Sequence, residues 1–314
     1  MNEIRNQGKV NIILPTYNGE KYIGELLDSI LMQTYDNIDI YIRDDGSTDR
    51  TMNIVHMYSN QNKSSKNIII MEDEKGNLGY PKCFLEIIQN VKNAPFYAFA
   101  DQDDVWDCKK IERAVGIIAK YNETKKPVLY FCNYDICDAK LNVKGCPQKP
   151  LSGQGIPIYK LLFGGTANGF VMVFNRYAKE MAFAKNIKYI PSQDAWLQRV
   201  VAITGGISVF DEDYIGAKYR RNEGAVTSDT TKKLAFFLWR LKTFVFGHSF
   251  ESIQKGIYYL MYQYADILSI ENKKCLQLFS KKGNVLKKIF FPHRLRTNIT
   301  DEIFLRMMFL FRKI

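Results

Sequence analysis

Short β-like runs alternate with helical patterns from the start of the chain, and this alternation limits the available folds more than any other feature. "VNIIL" (Val10 to Leu14) reads as a strand. In the "PTYNGEKYIGELLDSILMQT" that follows, Tyr22, Ile23, Leu26, Leu27, Ile30 and Leu31 recur at helical spacing, with Asn18 available as a cap. "IDIYIRDD" alternates as a second strand and "STDRTMNIVHMYSN" is helical. "NIIIM" (Asn67 to Met71) is a third strand, "PKCFLEIIQNV" a helix and "PFYAFA" a fourth strand. Further along, "DCKKIERAVGIIAKY" and "DAWLQRVVAIT" read as helices, "PVLYFCNYDICD" and "GFVMVFNR" as strands, and "GGISVFDEDYIGAKYR" as a strand pair or hairpin. Strand and helix in repeated succession predict an α/β domain with a mainly parallel central sheet.

Charge divides the chain unevenly. The net charge of +11 lies wholly in the last quarter: Met1 to Thr231 carries 28 Lys and Arg against 28 Asp and Glu, while Lys232 to Ile314 carries 16 against 5. With the small polar run "TSDTT" (Thr227 to Thr231), this predicts an α/β domain over residues 1–228, with halves meeting near residue 107, and a basic helical region over 229–314. There "KKLAFFLWRLKTFVF", "GIYYLMYQYADIL", "NVLKKIFFPHRLR" and "EIFLRMMFLFRKI" interleave cationic with apolar side chains at helical spacing. Such helices either lie in the interface of an anionic bilayer or pack on the rest of the protein with their lysines exposed. No recognition motif supports nucleic-acid binding. The N-terminal residues lack the apolar core of a signal peptide, and no apolar run reaches the ~18 residues of a spanning helix. Six cysteines without a C-x-x-C pair read as reduced thiols of a cytoplasmic protein; zinc held by Cys132, Cys137 and Cys146 is the alternative.

In an open α/β sheet, ligands bind beyond the carboxyl ends of the strands. Polar clusters stand there: "PTYN" after the first strand, "RDDGSTD" after the second, "EDEKGNLG" after the third and "DQDD" after the fourth. Asp101, Asp103 and Asp104 lie within four positions, and carboxylates that close raise each other's pKa unless a cation sits between them. Neither G-x-G-x-x-G nor G-x-x-x-x-G-K-[ST] is present, which disfavours a dinucleotide fold and a P-loop and leaves a nucleotide held through acidic loops and a metal.

The succession "VNIILPTYNGEKYIGELLDSILMQT", "IRDDGSTDRT", "KGNLGYPKCF" and "ADQDDVW" resembles the motifs of the inverting family-2 glycosyltransferases with the GT-A fold. "DQDDVW" in particular resembles the rhamnosyltransferase-like branch that builds bacterial capsule, cell-wall and O-antigen polysaccharides. The resemblance covers roughly the first 225 residues. It implies transfer of one sugar, with inversion, from a nucleoside-diphosphate sugar (dTDP-rhamnose or a UDP-hexose) to a hydroxyl of a lipid-linked glycan, at the inner face of the plasma membrane. By its motifs, Asp103 is the direct ligand of Mn²⁺ or Mg²⁺, Asp101 reaches the metal through water or holds the ribose, and Asp104 orients the sugar or supports the metal. Asp45 accepts from the imide N–H of the base, Asp44 supports that turn, and Pro15, Thr16 and Tyr17 flank the nucleotide. Lys82 offers charge to the donor, with Cys83 where an asparagine often follows. Asp194 in "PSQDAWL" is the base for the acceptor hydroxyl, with Gln193 and Ala195 in place of the usual histidine and first tryptophan. Arg220 or Arg221 in "YRRNEGAVTS" assists the leaving diphosphate.

Each motif alone has a plainer reading. "DDGSTD" is a good turn and helix cap, "DQDD" suits a helix N-terminus, and Asp194 suits an N-cap. Trp106 and Trp196 read as packing residues and His56 as an ordinary helix-face residue. Two rival functions remain: a sugar-nucleotide nucleotidyltransferase, which needs a Gly- and Arg-rich loop where this chain has "PTYNGEKY", and a catalytically silent scaffold of a polysaccharide assembly complex.

Overall fold

Every residue of β1 (Val10–Thr16) except Pro15 is buried, and α1 (Ile23–Leu31) turns Ile23, Leu26, Leu27 and Ile30 inward, as the helical spacing requires. The computed structural model of the chain describes residues 8–145, 151–164, 166–221 and 249–311. β2 (Ile38–Asp44), α2 (Thr51–Gln61), β3 (Asn67–Ile70), α3 (Lys82–Asn90) and β4 (Phe96–Phe99) continue the alternation. β5 (Val105–Trp106), α4 (Lys110–Ala119), β6 (Val128–Cys137), β7 (Val143–Gly145), β8 (Gly153–Gln154), α5 (Ile158–Leu162), β9 (Met172–Asn175), α6 (Arg176–Ala182), α7 (Gln193–Ile203) and β10 (Ile207–Arg220) follow.

One sheet runs in the order β3-β2-β1-β4-β9-β6-β10-β5. β3, β2, β1 and β4 are parallel, so their carboxyl ends share one edge. β9 enters antiparallel to both β4 and β6, and β10 then runs parallel to β6. Near-continuous apolar runs in β1 and β4 follow from burial on both faces; β2 is buried as well but alternates, with Asp39 bonded to Lys9 and Arg43 to Asp45 and Asp73. Phe99, at the end of β4, lies with its ring centroid 5.7, 5.1 and 5.9 Å from those of Phe84, Phe174 and Phe183, tying α3, β9 and the end of α6 to the strand that delivers the acidic loop.

Two local expectations are corrected. Asn18 does not cap α1, which begins at Ile23. It takes a left-handed backbone (φ 46°) and accepts the Thr48 N–H at 2.8 Å, a role asparagine fills because its short side chain tolerates that conformation. "GGISVFDEDYIGAKYR" is not a hairpin but the single strand β10, whose register against β6 slips between Asp211 and Ile215 and again before Ala217. "DEDY" lacks the Asn-Gly or Asp-Gly chemistry of a tight reversal, so the extra residues form a bulge instead.

The chain divides into two compact units. One joins the residues up to Gly155 with Thr166–Arg221. The other joins the stretch from Ile156 to the C-terminal helices: α8 (Ser249–Gln263), α9 (Ile270–Phe279), α10 (Val285–Ile289) and α11 (Ile299–Leu310). The sequence reading places α5 with the α/β domain; its contacts place it in the second unit, where the following Phe163 sits edge-on to Phe279 and Phe309 at 5.3 and 5.7 Å. Ser269, Asn284 and Asn298 cap α9, α10 and α11 by accepting backbone N–H groups. The predicted boundary at Thr227–Thr231, Cys146 and the "KKLAFFLWRLKTFVF" segment lie outside the described residues. Among the described residues no helix is long and apolar enough to cross a membrane.

Phe99 is fully buried and central to its aromatic cluster, so Phe99→Ala is expected to destabilise the protein by about 3–5 kcal/mol. Chemical denaturation of both proteins measures the difference, and a loss under about 1 kcal/mol would show that this cluster does not anchor the sheet.

Candidate active site

At the shared carboxyl edge of β1, β2 and β4 lies a cavity of about 350 Å³, within the range of small-molecule sites. Pro15, Thr16 and Tyr17 line it from β1, and Asp45 from the end of β2. Asn77, Gly79, Tyr80, Cys83 and Phe84 line it from the loop after β3 and the start of α3, and Asp101, Gln102 and Asp103 from the loop after β4. The sequence therefore names half of these residues and misses the rest.

Asp45 is buried in a network that shapes one wall. Its Oδ1 accepts from Arg43 Nη1 at 2.6 Å and from the Leu78 N–H at 2.8 Å, and its Oδ2 accepts the Gly79 N–H at 2.7 Å. A carboxylate offers about four acceptor directions, so one remains on Oδ2. Arg43, buried as well, also donates to both oxygens of Asp73 and to the Gly76 carbonyl. Gly76 and Gly79 adopt φ of 62° and 68°, which lets the loop turn twice while its N–H groups converge on Asp45. Asp44 points elsewhere: its oxygens accept from the backbone N–H and hydroxyl of Ser47, and it does not line the cavity.

Gln102, the middle residue of "DQD", locks the ends of β1 and β4 together. Its Oε1 accepts from Thr16 Oγ1 at 2.7 Å and the Tyr17 N–H at 2.9 Å, and its Nε2 donates to the Tyr17 carbonyl at 2.8 Å. A Cβ on Gly19 would lie 2.3 Å from that Oε1, so a side chain there would push Gln102 out of these hydrogen bonds. In sequence Gln102 looks like a spacer between acids, and no local signal marks its role.

The three carboxylates separate by depth. Asp101 and Asp103 line the cavity; Asp104 is fully buried behind it, with Oδ1 accepting the Arg220 N–H at 3.2 Å and Oδ2 without a hydrogen-bond partner. Burial, then the charges of Asp103 and Asp194, push the Asp101 carboxyl up to about 7, against the opposing pull of Lys110. Lys110 is the unforeseen cation here. It is fully buried, its Nζ lies 3.1 Å from the Trp106 ring centroid and donates to the Phe170 carbonyl, and desolvation lowers it to about 7.

Arg220 departs from the role implied by resemblance. Its Nε donates to the Asp103 carbonyl at 3.0 Å, Nη1 to the Ala139 carbonyl and Nη2 to Glu25 at 2.6 Å, with the guanidinium 4.4 Å from the Tyr22 ring centroid. It does not line the cavity; the reason is that β5 pairs with β10 and brings Arg220 against the back of the acidic loop. Arg221 is half-buried with its Nε unpartnered. Lys82 is exposed at the start of α3, and its neighbour Cys83 lines the cavity in its place. Asp194 stands in the first turn of α7, accepting the Ala195 N–H at 2.6 Å; it is not a lining residue, but its charge reaches both Asp101 and Tyr80. Trp196 is buried with Nε1 donating to the Ala182 carbonyl, Trp106 is buried under Lys110, and His56 is exposed on α2.

Among the described residues, no three His, Cys, Asp or Glu side chains are grouped to hold a metal by themselves. The donor chemistry nonetheless fits a hard divalent cation. Asp101 and Asp103 offer only oxygens, their charges oppose one another, and Asp104 Oδ2 is a buried oxygen without a hydrogen-bond partner behind them.

The Arg43 hydrogen bond holds the Asp73 carboxyl below the usual carboxylate range. A carboxyl depressed on folding adds stability above its unfolded pKa of about 3.9, and this is lost as pH falls through the lower folded value. Amide-exchange protection at Leu78 and Gly79 is thus expected to drop in acid below about pH 4, and Asp73→Asn to lower it already at neutral pH. Unchanged protection in that variant would remove Asp73 from the support of this wall.

The family model described as Glycosyl transferase family 2 matches residues 11–136. An uncharacterized glycosyltransferase of Rickettsia prowazekii is 30% identical over 198 residues, 60% of this chain and 58% of the relative, so the chain spans little more than half that relative's length. The UDP-Glc:alpha-D-GlcNAc-diphosphoundecaprenol beta-1,3-glucosyltransferase WfgD of Escherichia coli is 27% identical over 252 residues, covering 80% of this chain and 90% of the relative. The crystal structure of S. aureus TarS 1–349 in complex with UDP-GlcNAc matches with a TM-score of 0.56 at 16% identity, over 96% of this chain and 91% of that one, a likeness of fold. The chain thus matches the glycosyl transferase family 2 model over residues 11–136, and its fold is the GT-A fold.

Proposed function

We propose that this chain is a metal-dependent, inverting glycosyltransferase that moves a single sugar from a nucleoside-diphosphate sugar to a hydroxyl of a lipid-linked glycan presented at the inner face of the plasma membrane. The observation that carries the reading is the meeting of Asp45, Asp101, Asp103 and Tyr17 in one cavity at the carboxyl edge of the parallel strands. The relative from Escherichia coli, whose name specifies a UDP-glucose donor and a diphosphoundecaprenol-linked acceptor, supports the donor and acceptor class. dTDP-rhamnose and UDP-hexoses are the candidate donors.

In this reading Asp45 uses its remaining acceptor direction on the imide N–H of a uracil or thymine, while the Tyr17 ring and the backbone of Pro15 and Thr16 flank the nucleoside. Asp103, with Asp101, would hold Mn²⁺ or Mg²⁺, which would supply charge neutralisation for the diphosphate. Asp194 takes the proton of the attacking hydroxyl; the new glycosidic C–O bond forms at the anomeric carbon as the bond to the diphosphate breaks, and the configuration inverts. Lys110 and Arg220 do not meet the donor. They hold the acidic loop from behind, one by its charge and the other through the Asp103 carbonyl and Asp104.

Donor hydrolysis with UDP and dTDP sugars, with and without Mn²⁺, tests the reading. Asp103→Ala is expected to lower kcat by about a hundredfold or more, and Asp194→Asn to lower transfer to an acceptor by about 10²–10⁴ while nucleotide affinity is kept. Metal-independent turnover untouched by Asp103→Ala would overturn the mechanism, and the absence of any nucleotide-sugar binding would favour a silent scaffold.

A further inference from the structure

We propose that the outward face of α10 and α11 is a docking surface for an anionic lipid bilayer. The sequence predicts helices with one apolar and one cationic face, but α11 has two apolar stripes. Leu305, Met308 and Phe309 are buried in the helical unit, whereas Ile299, Ile303, Met307 and Leu310, spaced i, i+4, i+8 and i+11, form one exposed line on the other side. α10 packs against α11 and exposes Leu286 and Phe290, again four apart; Phe290 is 77% exposed. Single exposed apolar residues need no explanation, but an ordered row of them on two packed helices does.

The face is held in shape. Glu302, buried on the inner side, accepts the N–H groups of Leu295 and Arg296 at 2.8 and 2.7 Å, and Arg306 donates to the carbonyls of Ile289, Phe291 and His293. These bonds fix the segment between α10 and α11, so the exposed side chains belong to a built surface.

Charge identifies the occupant. Between Glu271 and Asp301 the chain carries eight Lys and Arg and no Asp or Glu. Six of the eight are exposed: Lys273, Lys274, Lys281, Lys282, Lys287 and Arg294. Lys287 and Arg294 neighbour the exposed Leu286 and Phe290 in the chain; a second copy would bring the same excess of cations, and residues 232–248, with four Lys and Arg and no acid, would add more. A surface that takes aliphatic side chains among cations is the headgroup boundary of an anionic membrane: acyl chains receive the apolar row and lipid phosphates the lysines.

Vesicle flotation of the full chain tests this independently of glycosyl transfer. The protein is expected to float with phosphatidylcholine vesicles containing phosphatidylglycerol, to float poorly with phosphatidylcholine alone, and to be released by salt. Phe290→Ser with Ile303→Ser is expected to cut the bound fraction about tenfold at an unchanged melting temperature, while donor hydrolysis without vesicles is kept. Lys281→Glu with Lys282→Glu is expected to remove the preference for phosphatidylglycerol. Equal flotation of the apolar double variant, no flotation of the natural protein with anionic vesicles, or a dimer that the serine substitutions dissociate in place of vesicle binding would each overturn the proposal. Loss of donor hydrolysis with flotation intact would instead fail the catalytic reading alone.

Discussion

Like charge held at close range at the end of a buried parallel sheet is the constraint on which the first unit depends. Asp101, Asp103 and Asp104 follow directly on β4, whose residues are all buried, so the loop has little room to splay its carboxylates into water. The fold answers with contacts at its back: Arg220 bonds the Asp103 carbonyl and gives its own N–H to Asp104, and Lys110 lies buried on Trp106. These supports hold the loop from behind, while burial first and the charges of Asp103 and Asp194 next raise the Asp101 carboxyl. Oxygen-only side chains crowded in this way have the donor chemistry that suits a hard cation.

The opposite wall solves a different problem. A lone carboxylate at a strand end is not fixed in position, and Asp45 is held by its neighbours. Arg43, buried at the end of β2, grips Asp45 on one side and Asp73 on the other, and the two left-handed glycines fold the intervening loop so that backbone N–H groups close on Asp45. Gln102 ties the acidic loop to the end of β1 through the Thr16 hydroxyl and the N–H and carbonyl of Tyr17. Rigidity at this edge therefore comes from three polar networks laid across strand ends, each with its base in a buried strand or helix.

The helical unit follows another logic. Its interior is aromatic, with Phe163, Phe279 and Phe309 in contact, and its caps are conventional Ser and Asn. What sets it apart is the apolar surface it leaves outside, next to cations that have few acids for company. Hydropathy alone does not separate the two stripes of α11, because both contribute to the same apolar count; only burial tells which faces inward.

Periodicity of two against periodicity near 3.6 made the α/β architecture, the succession of β1 to β4 along the chain and the acidic strand ends legible in the sequence, since these follow from local pattern and from the rule that binding sites gather at carboxyl edges. The clusters that contain Tyr17, Asp45, Asp101 and Asp103 were legible for that reason, while the choice of those residues within them came from the family resemblance. Gln102, Tyr80, Asn77 and Lys110 were not, because their roles depend on partners far away in the chain: Gln102 acts on Tyr17, and Lys110 reaches Phe170. Arg220 was legible as a residue of note but not in its task, which arises only when β5 pairs with β10 and sets the guanidinium behind the acidic loop. The sequence by itself determined which elements form and which polar residues end the strands, because both are local. The tertiary structure alone decided which of those residues face the cavity and which support it, because that depends on long-range strand pairing and burial.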